Sequence, residues 1–123
     1  MGDGDRLSTA SWSVRLGEEA EADFARILKY TSDTFGPKQA DVYKLTLTAA
    51  LAALHDGPNI QGSVARDEIR PGLRTLHVAR RGRRGRHFVM FRAASDPAGR
   101  EVIEVVRILH DAMDLARHIP PGV

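Results

Sequence analysis

At 123 residues, 42% of them hydrophobic and 28% charged, the chain has the size and composition of one soluble globular domain. It contains no apolar run approaching the roughly 18 residues needed to span a membrane, and residues 1–11, mostly Gly, Asp, Ser and Thr, lack the apolar stretch of a secretory leader, so none is expected. A cytoplasmic protein with a disordered tail over 1–11 is therefore expected, followed by one domain over 12–119 and a short tail over 120–123. With no cysteine, disulfides, zinc–thiolate centres and thiol nucleophiles are excluded. No metal or cofactor is expected.

The elements follow in chain order. Ser11–Leu16 alternates polar and apolar residues and reads as a half-buried strand. Beyond Gly17, the acids Glu18, Glu19 and Glu21 suit the positive end of a helix dipole, and Phe24, Ile27, Leu28 and Phe35 recur at the spacing of one helical face. Gly36-Pro37 ends this helix and starts a second, Lys38 to about His55, striped by Ala40, Tyr43, Leu47, Ala50, Leu51 and Leu54 and broadened by Val42 and Leu45. So short a joint makes the two helices an antiparallel hairpin. Asn59–Gly72 reads as a loop. Three strands follow over Leu73–Arg80, Arg86–Arg92 and Glu101–Leu109, the last apolar on both faces and so interior. Asp111–His118 has the pattern of a short terminal helix. The predicted fold is an α+β domain: strand, helix, helix and three strands, with an antiparallel sheet covered on one face by the helical hairpin.

Charge is distributed unevenly. Net charge is only +2, but residues 59–92 carry 9 Arg against 2 acids, while residues 1–58 carry 6 Lys/Arg against 9 acids and residues 93–123 carry 3 against 5. Every cation of the basic segment is Arg, whose planar fork grips phosphate and carboxylate bidentately. A hairpin loop needs glycine, not cations, so Arg81, Arg83, Arg84 and Arg86 point to recognition of an anionic partner, with Arg74 and Arg92 beside them. A structural role is the competing expectation for Arg74, Arg92 and Arg107, as ion-pair partners of Glu68, Glu101 or Glu104.

An ordered set of residues carries a family likeness. It runs through Ala22, Phe24, Ile27, Tyr30 and Gly36, then Ala40, Tyr43, Leu54, Pro58 and Gly62. It continues with Glu68-Ile69, Pro71-Gly72-Leu73-Arg74, Arg86-His87, Phe91-Arg92 and Val106-Arg107-Ile108-Leu109-His110, and closes with Met113-Asp114 and Arg117-His118. Over nearly the whole chain this resembles the RelE/ParE toxin superfamily, and its ParE branch in particular.

The resemblance implies the toxin of a type II toxin–antitoxin system, which inhibits growth, stabilises plasmids and acts on DNA gyrase. It also implies a ParD-like ribbon–helix–helix antitoxin that packs on the helical hairpin and often extends the sheet edge. The RelE branch implies a different activity on the same fold, ribosome-dependent cleavage of messenger RNA, for which Arg86, His87, Arg107 and His110 are the candidate catalytic residues. Against that branch, the lysines are confined to Lys29, Lys38 and Lys44 on the helices, the last tyrosine is Tyr43, and Met113-Asp114 is acidic where the nucleases are basic or aromatic. A third expectation is a module that binds an antitoxin and has lost toxicity.

Overall fold

A computed structural model of the chain describes residues 12–123; the expected N-terminal tail, 1–11, lies outside the described residues. In chain order the elements are β1 (Ser13–Leu16), α1 (Glu18–Phe35), α2 (Pro37–Ala53), β2 (Ser63–Ala65), β3 (Leu73–His77), β4 (His87–Ser95) and β5 (Glu101–His110). Gly17 stands at the N-terminus of α1 ahead of the three acids, and Gly36, at φ +98°, makes the reversal into Pro37, the first residue of α2. A 3₁₀ turn, Leu54–Asp56, finishes the hairpin. The region expected to form a terminal helix makes one 3₁₀ turn, Leu115–His118, whose entry is capped by Asp114 accepting from the Ala116 N–H.

The five strands lie in the order β1-β5-β4-β3-β2. The sheet is mixed rather than wholly antiparallel: β1 runs parallel to β5, with Ser13 beside Val102 and Leu16 beside Val105, while the other pairs are antiparallel. The helical hairpin between β1 and the remaining strands supplies the long crossover that a parallel pair requires. The segment expected to be a loop contains β2, a three-residue edge strand paired with β3.

The main core fills the space between the hairpin and one sheet face, with Leu47, Ala50 and Leu54 against Leu76, Val89, Phe91, Ile103 and Val105. The opposite face is not bare. Leu73, Met90, Val106 and Leu109 form a second, smaller core beneath Ile69, Leu115, Ile119 and Val123. A bulge opposite Met90 and Phe91 shifts the alternation of β5, so that Val105 and Ile108 both join the main core while Val106 joins the second.

The sequence-predicted helical stripes are only partly buried. Phe35 on α1 and Val42 and Leu45 on α2 are exposed, together with Tyr30. Tyr30, Phe35 and Val42 form an apolar strip on the hairpin that borders the loop joining β3 to β4.

Candidate functional site

That loop, residues 78–86, is built tightly. Arg83 N–H donates to the Arg80 carbonyl at 3.1 Å across Arg81 and Gly82, at φ +53° and +82°. Two successive positive φ angles make a type I′ turn, the form that matches strand twist in a hairpin. Gly82 suits it; Arg81 is the one described residue other than glycine with positive φ. Farther along, Gly85 passes so close to Tyr43 of α2 that a Cβ there would lie 2.9 Å from the Tyr43 hydroxyl and 2.4 Å from Val78 Cγ2. The loop is therefore laid against the hairpin rather than extended from it.

A hydrogen-bonded network fixes it there. Arg86 N–H donates to the Tyr43 hydroxyl at 3.1 Å, and that hydroxyl is 2.6 Å from His87 Nδ1. With the hydroxyl already accepting from Arg86 N–H, its proton is placed to go to Nδ1, the arrangement in which the His87 ring carries its own proton on Nε2. Ala112 N–H donates to His110 Nδ1 at 3.1 Å and Ala79 N–H donates to His77 Nδ1 at 3.0 Å, which sets the same tautomer in both. His77 Nε2–H then donates to Asp111 Oδ2 at 2.9 Å, and the Arg86 fork holds the same carboxylate at 3.2–3.3 Å. These two donors pull the Asp111 carboxyl down to about 2. Burial, reinforced by the neighbouring His110, lowers His87 to about 4, so its imidazole is neutral near pH 7. Burial also raises Tyr43, which stays a phenol. His87 and His110 face each other across β4 and β5 with ring centroids 5.4 Å apart, edge to face.

Between the loop and the hairpin runs a groove of about 1150 Å³. One wall is the apolar strip of Tyr30, Phe35 and Val42; the other is Arg83, Arg84 and Arg86; Tyr43, His87 and His110 lie between them. No lining residue is acidic.

The residues singled out from sequence separate into groups. Arg86, His87 and His110 meet in the groove, whereas Arg107 does not join them. Its Nε and Nη2 donate to Asp23 of α1 at 2.7 and 2.9 Å, and Asp23 also accepts the Ile108 N–H at 2.9 Å. Arg26 reaches the same carboxylate from the solvent side. Asp23 thereby closes the edge of β5 beyond the point where β1 stops, and Arg107 serves the fold.

Arg92 pairs with Glu104 of β5 at 2.8 Å, while Arg74 donates to Ser63 Oγ at 2.7 Å instead of meeting an acid. Arg81, Arg83 and Arg84 make no side-chain ion pair or hydrogen bond among the described residues. Tyr43, His77 and Asp111 belong to the network but escaped the sequence reading. Tyr43 carries the periodicity of a core residue, and neither His77 nor Asp111 sits in a spacing that signals a partner 34 residues away.

Comparison with known proteins adds the lineage. Residues 14–115 match the family described as ParE toxin of type II toxin-antitoxin system, parDE. The chain is 35% identical over 104 residues to Toxin ParE1 of Mycobacterium tuberculosis, in strains CDC 1551 / Oshkosh and ATCC 25618 / H37Rv, covering 85% of this chain and 94% of the relative. Among solved structures, a chain of the chromosomal ParDE TA system from P. aeruginosa superposes with a TM-score of 0.63 at 24% identity, over 81% of this chain and 96% of that one. That likeness shows a shared fold.

Proposed function

The chain belongs to the ParE toxin family of type II toxin–antitoxin systems, and on that premise we propose that it halts bacterial growth in the cytoplasm by inhibiting DNA gyrase. A ParD-like antitoxin of the ribbon–helix–helix class is its partner. We place the contact of that antitoxin in the groove between the hairpin and the arginine loop. The observation that carries this reading is the groove's make-up: exposed apolar side chains on one wall, arginines on the other, and no acid among the lining residues. An amphipathic segment with an apolar stripe and an acidic flank complements both walls, and its binding buries the strip that free toxin exposes. In this reading Arg81, Arg83 and Arg84 recognise partner or target, while Arg74, Arg86 and Arg92, held by Ser63, Asp111 and Glu104, shape the surface around them.

The inhibitor reading is favoured over messenger cleavage by the state of the four candidate catalytic residues. Arg107 and Arg86 are committed to Asp23 and Asp111, and Nδ1 of each histidine is already engaged, by the Tyr43 hydroxyl and by the Ala112 N–H. A nuclease of this kind needs a base for the attacking 2′-hydroxyl, and a ring whose Nδ1 is already engaged and whose other nitrogen carries a proton cannot serve as one. Two assays on one preparation test the proposal. Inhibited supercoiling or accumulated cleaved DNA, with translation in vitro unaffected, is expected; cleavage of messenger on the ribosome with gyrase untouched would reverse it in favour of the RelE-like activity. Normal growth of cells producing soluble protein without antitoxin would instead mark a non-toxic binding module.

A further inference from the structure

The floor of the groove has a chemistry that its walls do not explain. Antitoxin binding needs apolar contact and countercharge, yet at the polar end two imidazoles stand side by side with every Nδ1 lone pair consumed by a fixed donor. Each ring therefore has its remaining nitrogen as an N–H donor. Neither Nε2 has a partner among the described residues, and no buried side-chain nitrogen or oxygen there is left unpaired, so both open to solvent. Both rings line the groove alongside Arg83 and Arg84.

We propose that this floor is an oxyanion site that seats a phosphodiester of a nucleic acid on the Nε2–H groups of His87 and His110 and the guanidiniums of Arg83 and Arg84. A carboxylate offers two coplanar oxygens that a planar fork grips from one side, as Arg86 grips Asp111 in this same region. Two ring donors from adjacent strands and two cations from a loop approach from separate directions, which suits the tetrahedral oxygens of a phosphate. Asp111, 3.6 Å from His110 Nδ1, has its charge offset by the Arg86 guanidinium and also accepts a hydrogen bond from His77. Tyr30 and Phe35, 63% and 64% exposed on the opposite wall, offer faces on which an unpaired base can stack. The site goes beyond the reading above, since inhibition of gyrase requires no direct contact between the toxin and nucleic acid. It also gives neutralisation a physical meaning: a protein segment lying in the groove excludes the strand.

The test uses the purified protein and short fluorescein-labelled single strands of DNA and of RNA with the same sequence, followed by anisotropy over a range of salt. Binding is expected to weaken steeply with salt. Arg83→Ser with Arg84→Ser should flatten the slope of log affinity against log salt by about 0.7, the value for one neutralised phosphate on a single strand. His87→Ala and His110→Ala should each weaken binding about tenfold at constant arginine content, the effect of about one hydrogen bond to a charged group. His110→Gln, which keeps an N–H donor, should retain most of the affinity and guards against a folding defect. A stronger response to either DNA or RNA identifies which nucleic acid supplies the phosphodiester. Inorganic phosphate should shift the imidazole Nε2 resonances of both histidines in nitrogen-detected spectra.

The proposal is overturned if neither strand binds at low salt, or if affinity falls with the arginines and is indifferent to both alanine variants. It is equally overturned if an acidic amphipathic peptide binds and the strands do not. None of these outcomes bears on gyrase inhibition, which the supercoiling assay reads separately.

Discussion

Gly85 shows how one missing side chain holds the site together. A methyl group there meets Val78 Cγ2 at 2.4 Å and the Tyr43 hydroxyl at 2.9 Å, so Gly85→Ala must push the loop off the hairpin or displace Tyr43. A loss of about 1–3 kcal/mol, the usual penalty for overpacking, is expected in urea unfolding, with weaker partner binding. Arg81 works in the opposite sense. Its positive φ is costly for a side chain of its kind, so Arg81→Asn should stabilise the protein by up to about 1 kcal/mol while weakening recognition. A variant that gains no stability would mean the turn carries no strain at that residue.

The titrating groups separate by pH. His87, lowered in the folded state from 6.5 to about 4, contributes stability that is complete above 6.5 and is lost as pH falls toward 4. Asp111, lowered from 3.8 to about 2, contributes stability complete above 3.8 and lost in the more acid window below it. Unfolding free energy measured against pH should therefore decline in two stages, and His87→Gln should remove only the first.

Between elements, the critical join is the one from α1 to β5. Asp23 is 1% exposed and takes both the Arg107 fork and the Ile108 N–H, so a buried carboxylate replaces the strand partner that β1 is too short to provide. Asp23→Ala leaves the Arg107 side chain, 16% exposed, without its closest ion-pair partner, holding only the His118 carbonyl at 3.1 Å and Glu19 at 3.6 Å. It should cost about 3–5 kcal/mol, and adding Arg107→Met should recover part of that loss in a double-mutant cycle. A double-variant loss equal to the sum of the two single losses would show that the pair itself contributes nothing.

This join also marks where the sequence stopped being informative. Both helices, the Gly36-Pro37 reversal and β3 to β5 are visible in periodicity, because local pattern records which face is buried. The pairing of β1 with β5 is not visible, because a strand's alternation carries no information about its neighbour or direction. β2 escaped for a different reason: Ser63-Val64-Ala65 is too short to show a period, and it exists because β3 offers it an edge. In the candidate site, the arginine loop, His87 and His110 were legible as chemistry. Tyr43, His77 and Asp111 were not, because their role comes from contacts across more than thirty residues.

At the scale of the molecule, two cores share one sheet. β4 and β5 contribute Val89, Phe91 and Ile103 to one face and Met90, Val106 and Leu109 to the other, so neither core can come apart alone. Leu109→Ala in the smaller core should lower stability by about 2–5 kcal/mol, within the range for Ile103→Ala in the larger. Unfolding followed by Trp12 fluorescence, which reports the larger core, should coincide with unfolding followed by far-UV circular dichroism in both variants. Separate transitions would show two independent units.

The place of β5 has a further consequence in time. It is the last strand to leave the ribosome, yet it lies inside the sheet, holding β1 on one side and β4 on the other. Until residues 101–110 emerge, β1 has no neighbour, Asp23 has no backbone N–H to receive, and His87 lacks the facing His110. At about 5–20 residues per second, most of the synthesis time passes with the nascent chain unable to assemble its working surface. Translation thus carries a built-in delay between making this toxin and arming it, during which an antitoxin already present has the first claim on the finished fold.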